Sequence, residues 1–422
     1  MNLLLRSVTV VDPNSSFNQK QIDIFIKDGI VSAFGKKIKT EGKFKEIDCK
    51  GLSVSPGWFD MYASFCDPGF EYKEDIQSGV NVAAAGGFTG VAVLPDTYPA
   101  LHSKSEIEYI LNRSKGKIVD VHALGAITRK CEGKELAEIY DMHHAGAVAY
   151  SDARNPVGDS GVMMRALQYV KLFDGVVFSH PDDENVSHDG SMNEGVVSTN
   201  LGLKGMPSLA EELMVVRDIY LAEYTQSRLH FSLISTARSV DLIRAAKKKG
   251  VKVTCGVSSM HLMFDDGELN EFDTNFKLNP SLRTKKDVAA LIAGLKDGTI
   301  DVIVSAHQPQ NIELKDVEFE YADFGAINLQ TSFALANTSF GNSISNEVLI
   351  EKIAINPRKI LGIQIPTINE GEEANFTLFN PSEEWIFYKS ENKSKSANTP
   401  LFEKKLIGRV VAVFNHYQIV EL

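Results

Sequence analysis

Eight short apolar runs recur through the middle of this chain, each followed by a segment of helical length, and this rhythm limits the fold more than any other feature. The runs fall at 53–59, 89–95, 119–127, 146–151, 175–180, 228–235, 251–257 and 301–307. Helix-period segments lie between them, at 73–85, 103–114, 207–224, 239–248 and 285–295. Strands alternating with helices imply a parallel sheet, and eight such units close into a (β/α)8 barrel of the TIM type, an α/β fold. Barrels of this kind do their chemistry at the carboxyl ends of the strands. Those ends hold Tyr62, Ser64, Asp96, Asp152, His180, Leu233, His261, Ala306 and His307.

The flanks follow a different rule. Residues 1–52 and 366–422 read as short strands separated by polar turns such as Asp12-Pro13-Asn14. Two strand-rich ends around a long middle predict one β-sandwich domain made from both termini, with the barrel at 53–365.

Composition narrows the function classes. A net charge of −11 disfavours a nucleic-acid binder, which needs a basic stripe. No run of about 18 apolar residues is present, so no membrane span is expected. The amino-terminal 13 residues lack the pattern of a signal peptide. The four cysteines, Cys49, Cys66, Cys131 and Cys255, form no CxxC pair or disulfide framework. A cytoplasmic location is the expectation.

Several ordered motifs carry a resemblance. Pro56-Gly57-Trp58-Phe59-Asp60-Met61, followed by Asp67-Pro68-Gly69-Phe70-Glu71-Tyr72-Lys73-Glu74-Asp75, resembles the opening signature of bacterial dihydroorotases. Ala83-Ala84-Ala85-Gly86-Gly87-Phe88-Thr89, Met192-Asn193-Glu194-Gly195, Leu278-Asn279-Pro280-Ser281-Leu282-Arg283, Asp297-Gly298-Thr299-Ile300-Asp301 and Asn398-Thr399-Pro400-Leu401-Phe402 continue it in order. The resemblance covers nearly the whole chain. It implies an amidohydrolase-superfamily barrel whose zinc ions activate a hydroxide for hydrolysis of dihydroorotate, a step of pyrimidine biosynthesis run in reverse.

Position by position, the resemblance also implies what is missing. The family's His-x-His after strand one stands here as Tyr62 and Ser64, neither a usual zinc ligand. The substrate-gripping arginine is Cys66, and the partnering asparagine is Asp96, whose charge would repel a carboxylate by ~1–4 kcal/mol at ~4 Å. Asp152 and His180 match surviving ligand positions. The strand-six histidine is Leu233, and the aspartate that contacts metal and carries the proton is Ala306. Asn279 matches a substrate contact. No zinc cofactor is therefore expected, beyond weak residual binding at Asp152 and His180. Tyr62 is expected to plug the emptied pocket, and Cys66 is weighed as a nucleophile only if a base or cation stands beside it.

The reading that follows is a catalytically inactive dihydroorotase homologue, a homo-oligomer kept as a structural or regulatory partner, by family analogy of aspartate carbamoyltransferase. The alternatives are an active amidohydrolase with a rebuilt site acting on another cyclic amide, and a small-molecule sensor.

Overall fold

The computed structural model describes residues 2–40, 42–341 and 343–422. Eight parallel strands form the barrel: β1 (Trp58–Ala63), β2 (Phe88–Val93), β3 (Asp120–Gly125), β4 (Ala149–Ser151), β5 (Val176–Ser179), β6 (Arg228–Phe231), β7 (Val253–Ser258) and β8 (Val302–Val304). Each pairs with its neighbour in sequence order. The ring is drawn together where the Ser64 amide donates to the His307 carbonyl at 2.9 Å and the Ser305 amide to Asp60 Oδ2 at 3.1 Å. Every residue of β1 and β2 is buried, as expected of parallel strands covered on both faces.

The helices begin and end where local chemistry dictates. The Ile76–Ala85 helix starts at Asp75, whose carboxylate accepts the Ser78 amide at 2.7 Å and satisfies one of the otherwise orphaned donors. It stops at Gly86, and Gly87 follows at φ +89°. A Cβ on Gly87 would sit 2.5 Å from the Trp58 ring, so only glycine lets the chain turn here into β2.

The first apolar run does not form one strand. Ser53–Pro56 pairs antiparallel with Phe376–Ile386 and parallel with Leu3–Val10, so it belongs to the terminal sheet. Gly57 separates it from β1, which moves the domain boundary to Gly57 rather than 53. Both halves are fully buried, and periodicity cannot tell two buried strands apart when they serve different sheets.

The termini join as expected. From one edge inward the sheet runs Gln418–Glu421, Lys405–Asn415, Phe376–Ile386, Ser53–Pro56, Leu3–Val10, Gln21–Lys27 and Ile30–Gly35, with Lys45–Asp48 also paired to Leu3–Val10. It is one continuous eight-stranded sheet with its own core, including Leu3, Val8, Ile24, Phe376 and Phe414. Trp58 ties this domain to the barrel: it packs on Phe333 and Phe379, and its indole N–H donates to Ser55 Oγ at 2.9 Å. No helix among the described residues is long and apolar enough to cross a membrane.

Candidate functional site at the barrel mouth

The strand ends converge on a residue that the sequence reading passed over, Arg154, three positions beyond β4. Its guanidinium donates from Nη1 to Asp96 Oδ2 and to Ser64 Oγ, both at 2.9 Å, and Ser64 in turn donates to Asp96 Oδ2 at 2.6 Å. Nη2 reaches the Ala306 carbonyl at 3.4 Å. The same guanidinium lies 5.3 Å from the centre of the Tyr62 ring. One side chain thus ties together the ends of β1, β2, β4 and β8. Asp96, read from the sequence as a charge that would repel a carboxylate ligand, is paired with a cation that arrives from a different loop.

Tyr62 is fully buried, and its hydroxyl donates to the Ala153 carbonyl at 3.0 Å. Its ring belongs to an apolar cluster with Leu233, Val304, Phe178 and Leu94 that fills the top of the barrel. Burial pushes its phenol pKa up to about 12, so it serves as a neutral plug rather than an acid near neutrality.

Of the two ligand positions that match the family, Asp152 is fully engaged elsewhere. Its carboxylate accepts the Thr128 amide at 2.8 Å and the Thr128 hydroxyl, which fastens the end of β3 to the end of β4. Burial raises its pKa to about 6. His180 is buried with neither ring nitrogen hydrogen-bonded. Burial, helped by the charge of Arg154, holds its pKa at about 4, so the ring is neutral.

Cys66 is buried too, and burial with the charges of Asp96 and Glu74 drives its thiol pKa upward. That environment suppresses thiolate and removes the case for a nucleophile. His261 Nε2 donates to the Pro280 carbonyl at 2.9 Å and is likewise a neutral structural ring. Arg283, next to the Asn279 motif, is spent on Ser235 Oγ, Asn193 Oδ1 and the Met206 carbonyl, at 3.0, 3.0 and 2.7 Å.

His307 shows what became of the strand-eight signature. Its Nδ1 accepts the amides of Asn328 and Leu329 at 3.2 and 3.3 Å, which places the proton on Nε2, 3.6 Å from Glu74 Oε2. Glu74 also accepts the Ser394 hydroxyl and the Lys395 amide. This buried pair links β8 to the carboxyl-terminal segment.

These residues do not fit zinc. A catalytic zinc needs three protein ligands and an open position. Among the described residues no three His, Cys, Asp or Glu side chains converge. Tyr62 and Leu233 are packed in apolar surroundings, and Ser64 is bound by Asp96 and by the fixed positive charge of Arg154. The space left at the mouth, lined by Arg154, Leu233, His261, Asn279, Ala306 and Gln308, is about 20 Å³, room for about one water. A cavity of about 600 Å³ lies instead between the Ile76–Ala85 helix and the terminal sheet, and none of these residues lines it.

The arginine was legible in principle. A new carboxylate at the end of β2 needs a partner if it is to be partly buried, and the nearest strand-end loops offer Arg154 as a cation.

Comparison with known proteins places this site in context. Residues 51–239 match a family described as dihydro-orotase-like. The chain is 43% identical to a dihydroorotase of Acetivibrio thermocellus over 97% of this chain and 96% of that one, and 40% identical to a dihydroorotase of Syntrophus aciditrophicus over 100% and 99%. Among solved structures, an L-hydantoinase (dihydropyrimidinase) from Arthrobacter aurescens superposes with a TM-score of 0.87 at 21% identity, covering 100% of this chain and 96% of that one. A dihydropyrimidinase from Brevibacillus agri gives 0.85 at 20%, covering 100% and 95%. The two structures share the barrel and terminal sheet; the sequence relatives decide the family. Full-length identity at this level, together with the ordered motifs on this fold, makes the chain a member of the dihydroorotase family.

Proposed function

We propose that this dihydroorotase-like protein of pyrimidine metabolism does not hydrolyse dihydroorotate through a zinc-bound hydroxide, and that it acts as a structural or regulatory partner, with aspartate carbamoyltransferase the favoured associate. The observation that carries the first part is the Arg154–Asp96–Ser64 cluster. It occupies the strand ends with a guanidinium whose hydrogen bonds are directed at the protein itself. A carboxylate substrate would have to displace Asp96 from Arg154 to be held there. No residue is positioned to generate a nucleophile: Ala306 has no proton-carrying group, Cys66 is held as thiol, and His180 faces no acid or base that would orient it.

The second part rests on the retention of the fold across both domains once the site was rebuilt. Buried networks such as Glu74–His307 and Arg283–Asn193 are intact although no chemistry uses them. A surface role would keep such networks under selection for folding. The competing reading, an active hydrolase, is favoured by the 40–43% identity to proteins called dihydroorotase.

Zinc content and dihydroorotate turnover of the purified protein separate the two. The proposal expects less than stoichiometric zinc and turnover at background. Chelator-sensitive turnover overturns it. For the partner, the chain is mixed with aspartate carbamoyltransferase of the same organism and the mass followed by light scattering; elution at two separate masses removes the scaffold role.

A further inference from the structure

The amino ends of β1, β2 and β3 open on a cavity of about 470 Å³, on the face of the barrel opposite Arg154. That volume lies within the ~300–1,000 Å³ typical of small-molecule sites. Phe59, Gly90, His122 and Arg358 line its barrel side, and Glu372 and Glu373, both exposed, line its outer side. Gly90 lets Phe59 lie there, since a Cβ at this position would stand 2.5 Å from the phenyl ring. The phenyl ring in turn has the His122 ring 5.5 Å away, centre to centre, and the Arg358 guanidinium 5.2 Å from its centre.

Arg358 is the group that the fold leaves unbalanced. It sits on the Asn356–Leu361 helix and is only 3% exposed. Its Nη1 donates to the Gly57 and Ala354 carbonyls and its Nη2 to Thr89 Oγ1 at 3.2 Å, so all three acceptors are neutral. The Nε–H and the second Nη2–H, the edge that a carboxylate engages side-on, have no acceptor among the described residues. Burial lowers its pKa to about 9, and the guanidinium stays charged at neutral pH. Asp120, the acid whose charge reaches it, is hydrogen-bonded instead to Asn415 Nδ2 at 3.1 Å and His416 Nε2 at 2.6 Å. A buried charge without a hydrogen-bonded counter-charge is costly, and an anionic group entering the cavity would relieve that cost.

We infer that this cavity binds a small amino acid as its zwitterion, with the carboxylate on Arg358 and the ammonium towards Asp120, Glu372 and Glu373. Charge selects this class. A phosphate or a simple carboxylic acid would bring net negative charge past the two exposed glutamates, whereas an ammonium on the same molecule turns them from a barrier into partners. Phe59, Ile363 and Pro366 supply an apolar wall, which favours an apolar side chain over an acidic one. His122, whose pKa burial holds below the ordinary value, is neutral near pH 7 and can hydrogen-bond the ligand without adding charge. Barrels of this type keep their chemistry at the opposite face, so this is a binding site, and it stands whether or not the barrel mouth is catalytic.

The test uses the full chain. Each common amino acid at millimolar concentration is screened by thermal unfolding, and the best is taken to titration calorimetry. Leucine, isoleucine, methionine or phenylalanine should raise the unfolding midpoint, and aspartate should not. The deaminated acid and the decarboxylated amine of the best ligand, and inorganic phosphate, should each bind about tenfold more weakly or worse. Arg358→Gln should weaken the amino acid by about tenfold or more, the value of a charge-assisted hydrogen bond. Should that buried variant fail to fold, Glu372→Gln/Glu373→Gln decides, because both side chains are exposed. Their loss should weaken the amino acid about two- to fivefold and strengthen binding of the deaminated acid. Three results overturn the proposal: no amino acid bound at millimolar concentration, binding indifferent to either folded variant, or phosphate or the deaminated acid bound more tightly than the amino acid. An Arg358 that only braces Gly57 and Ala354 would show itself as lower stability in Arg358→Gln with no amino acid bound by either protein, which also overturns it.

Discussion

Replacing Arg154 by methionine removes the charge at the mouth while keeping most of the volume. The side chain is 11% exposed and its partner Asp96 26%, so both ends of the pair are largely out of water. Breaking a fully buried pair by removing one partner costs roughly 3–5 kcal/mol, because the other charge is left uncompensated. Asp96 keeps a quarter of its exposure and its bond to Ser64, which lowers the expected cost of Arg154→Met to about 2–3 kcal/mol. Asp96→Asn leaves a guanidinium with the Ser64 and Ala306 oxygens and should cost about 1–2 kcal/mol. With both changed, neither charge is orphaned, and the loss should fall short of the sum by about 1–2 kcal/mol. Equilibrium urea unfolding of the four proteins at neutral pH gives this coupling directly. It should persist in high salt, since a buried pair is screened far less than a surface one. Additivity within about 0.5 kcal/mol would mean that Arg154 and Asp96 do not depend on each other, and the account of the mouth as a charge-neutralised plug would fail.

Three further outcomes are expected. Ala306→Asp alone should yield no turnover, because a base needs a bound water to act on; even Tyr62→His, Ser64→His, Leu233→His and Ala306→Asp together should bind zinc only when Arg154 is also neutralised, which isothermal titration would detect. Leu233→His by itself should lower stability by about 1–3 kcal/mol in urea unfolding, since it buries an imidazole among Tyr62, Phe178 and Val304; an unchanged midpoint would contradict the packing described. His180, His230 and His261 have folded pKa values of about 4, 3 and 4, below the unfolded value near 6.5, so the unfolded chain binds more protons and stability should fall as pH drops from about 6.5 towards 4. Asp152, with its pKa raised to about 6, acts in the opposite direction between about 4 and 6 and offsets one of the three. His230→Asn should flatten this pH dependence in urea melts taken between pH 5 and 7, and an identical slope would refute the assignment of a buried neutral ring.

Much of the site was readable as a list of residue types. The chemistry open to Leu233 and Ala306 is legible without coordinates, because leucine and alanine cannot coordinate a metal or carry a proton in any geometry, and Tyr62 and Ser64 are read in the same way from their types. The directions of Asp152 and His180 were not readable. Both types suit a metal, yet one carboxylate is taken by Thr128, 24 residues away, and the ring of the other meets no partner. The sequence placed His307 at a strand end and no more; its buried partner, Glu74, lies 233 positions earlier.

By itself the sequence determined the rhythm of strand and helix, the membership of both termini in one β domain and the residue types that stand at the strand ends. These follow from local periodicity and from side-chain chemistry, which hold wherever a residue is placed. Only the tertiary structure decided that Ser53–Pro56 leaves the barrel for the terminal sheet and that Arg154 closes the mouth on Asp96 and Ser64. Each depends on which side of a strand or helix meets which neighbour after folding. Arg154 pairs with residues 58 and 90 positions away, across a closure that brings the ends of β1, β2 and β4 together. Sequence spacing carries no record of that distance, because barrel closure, not chain proximity, sets it.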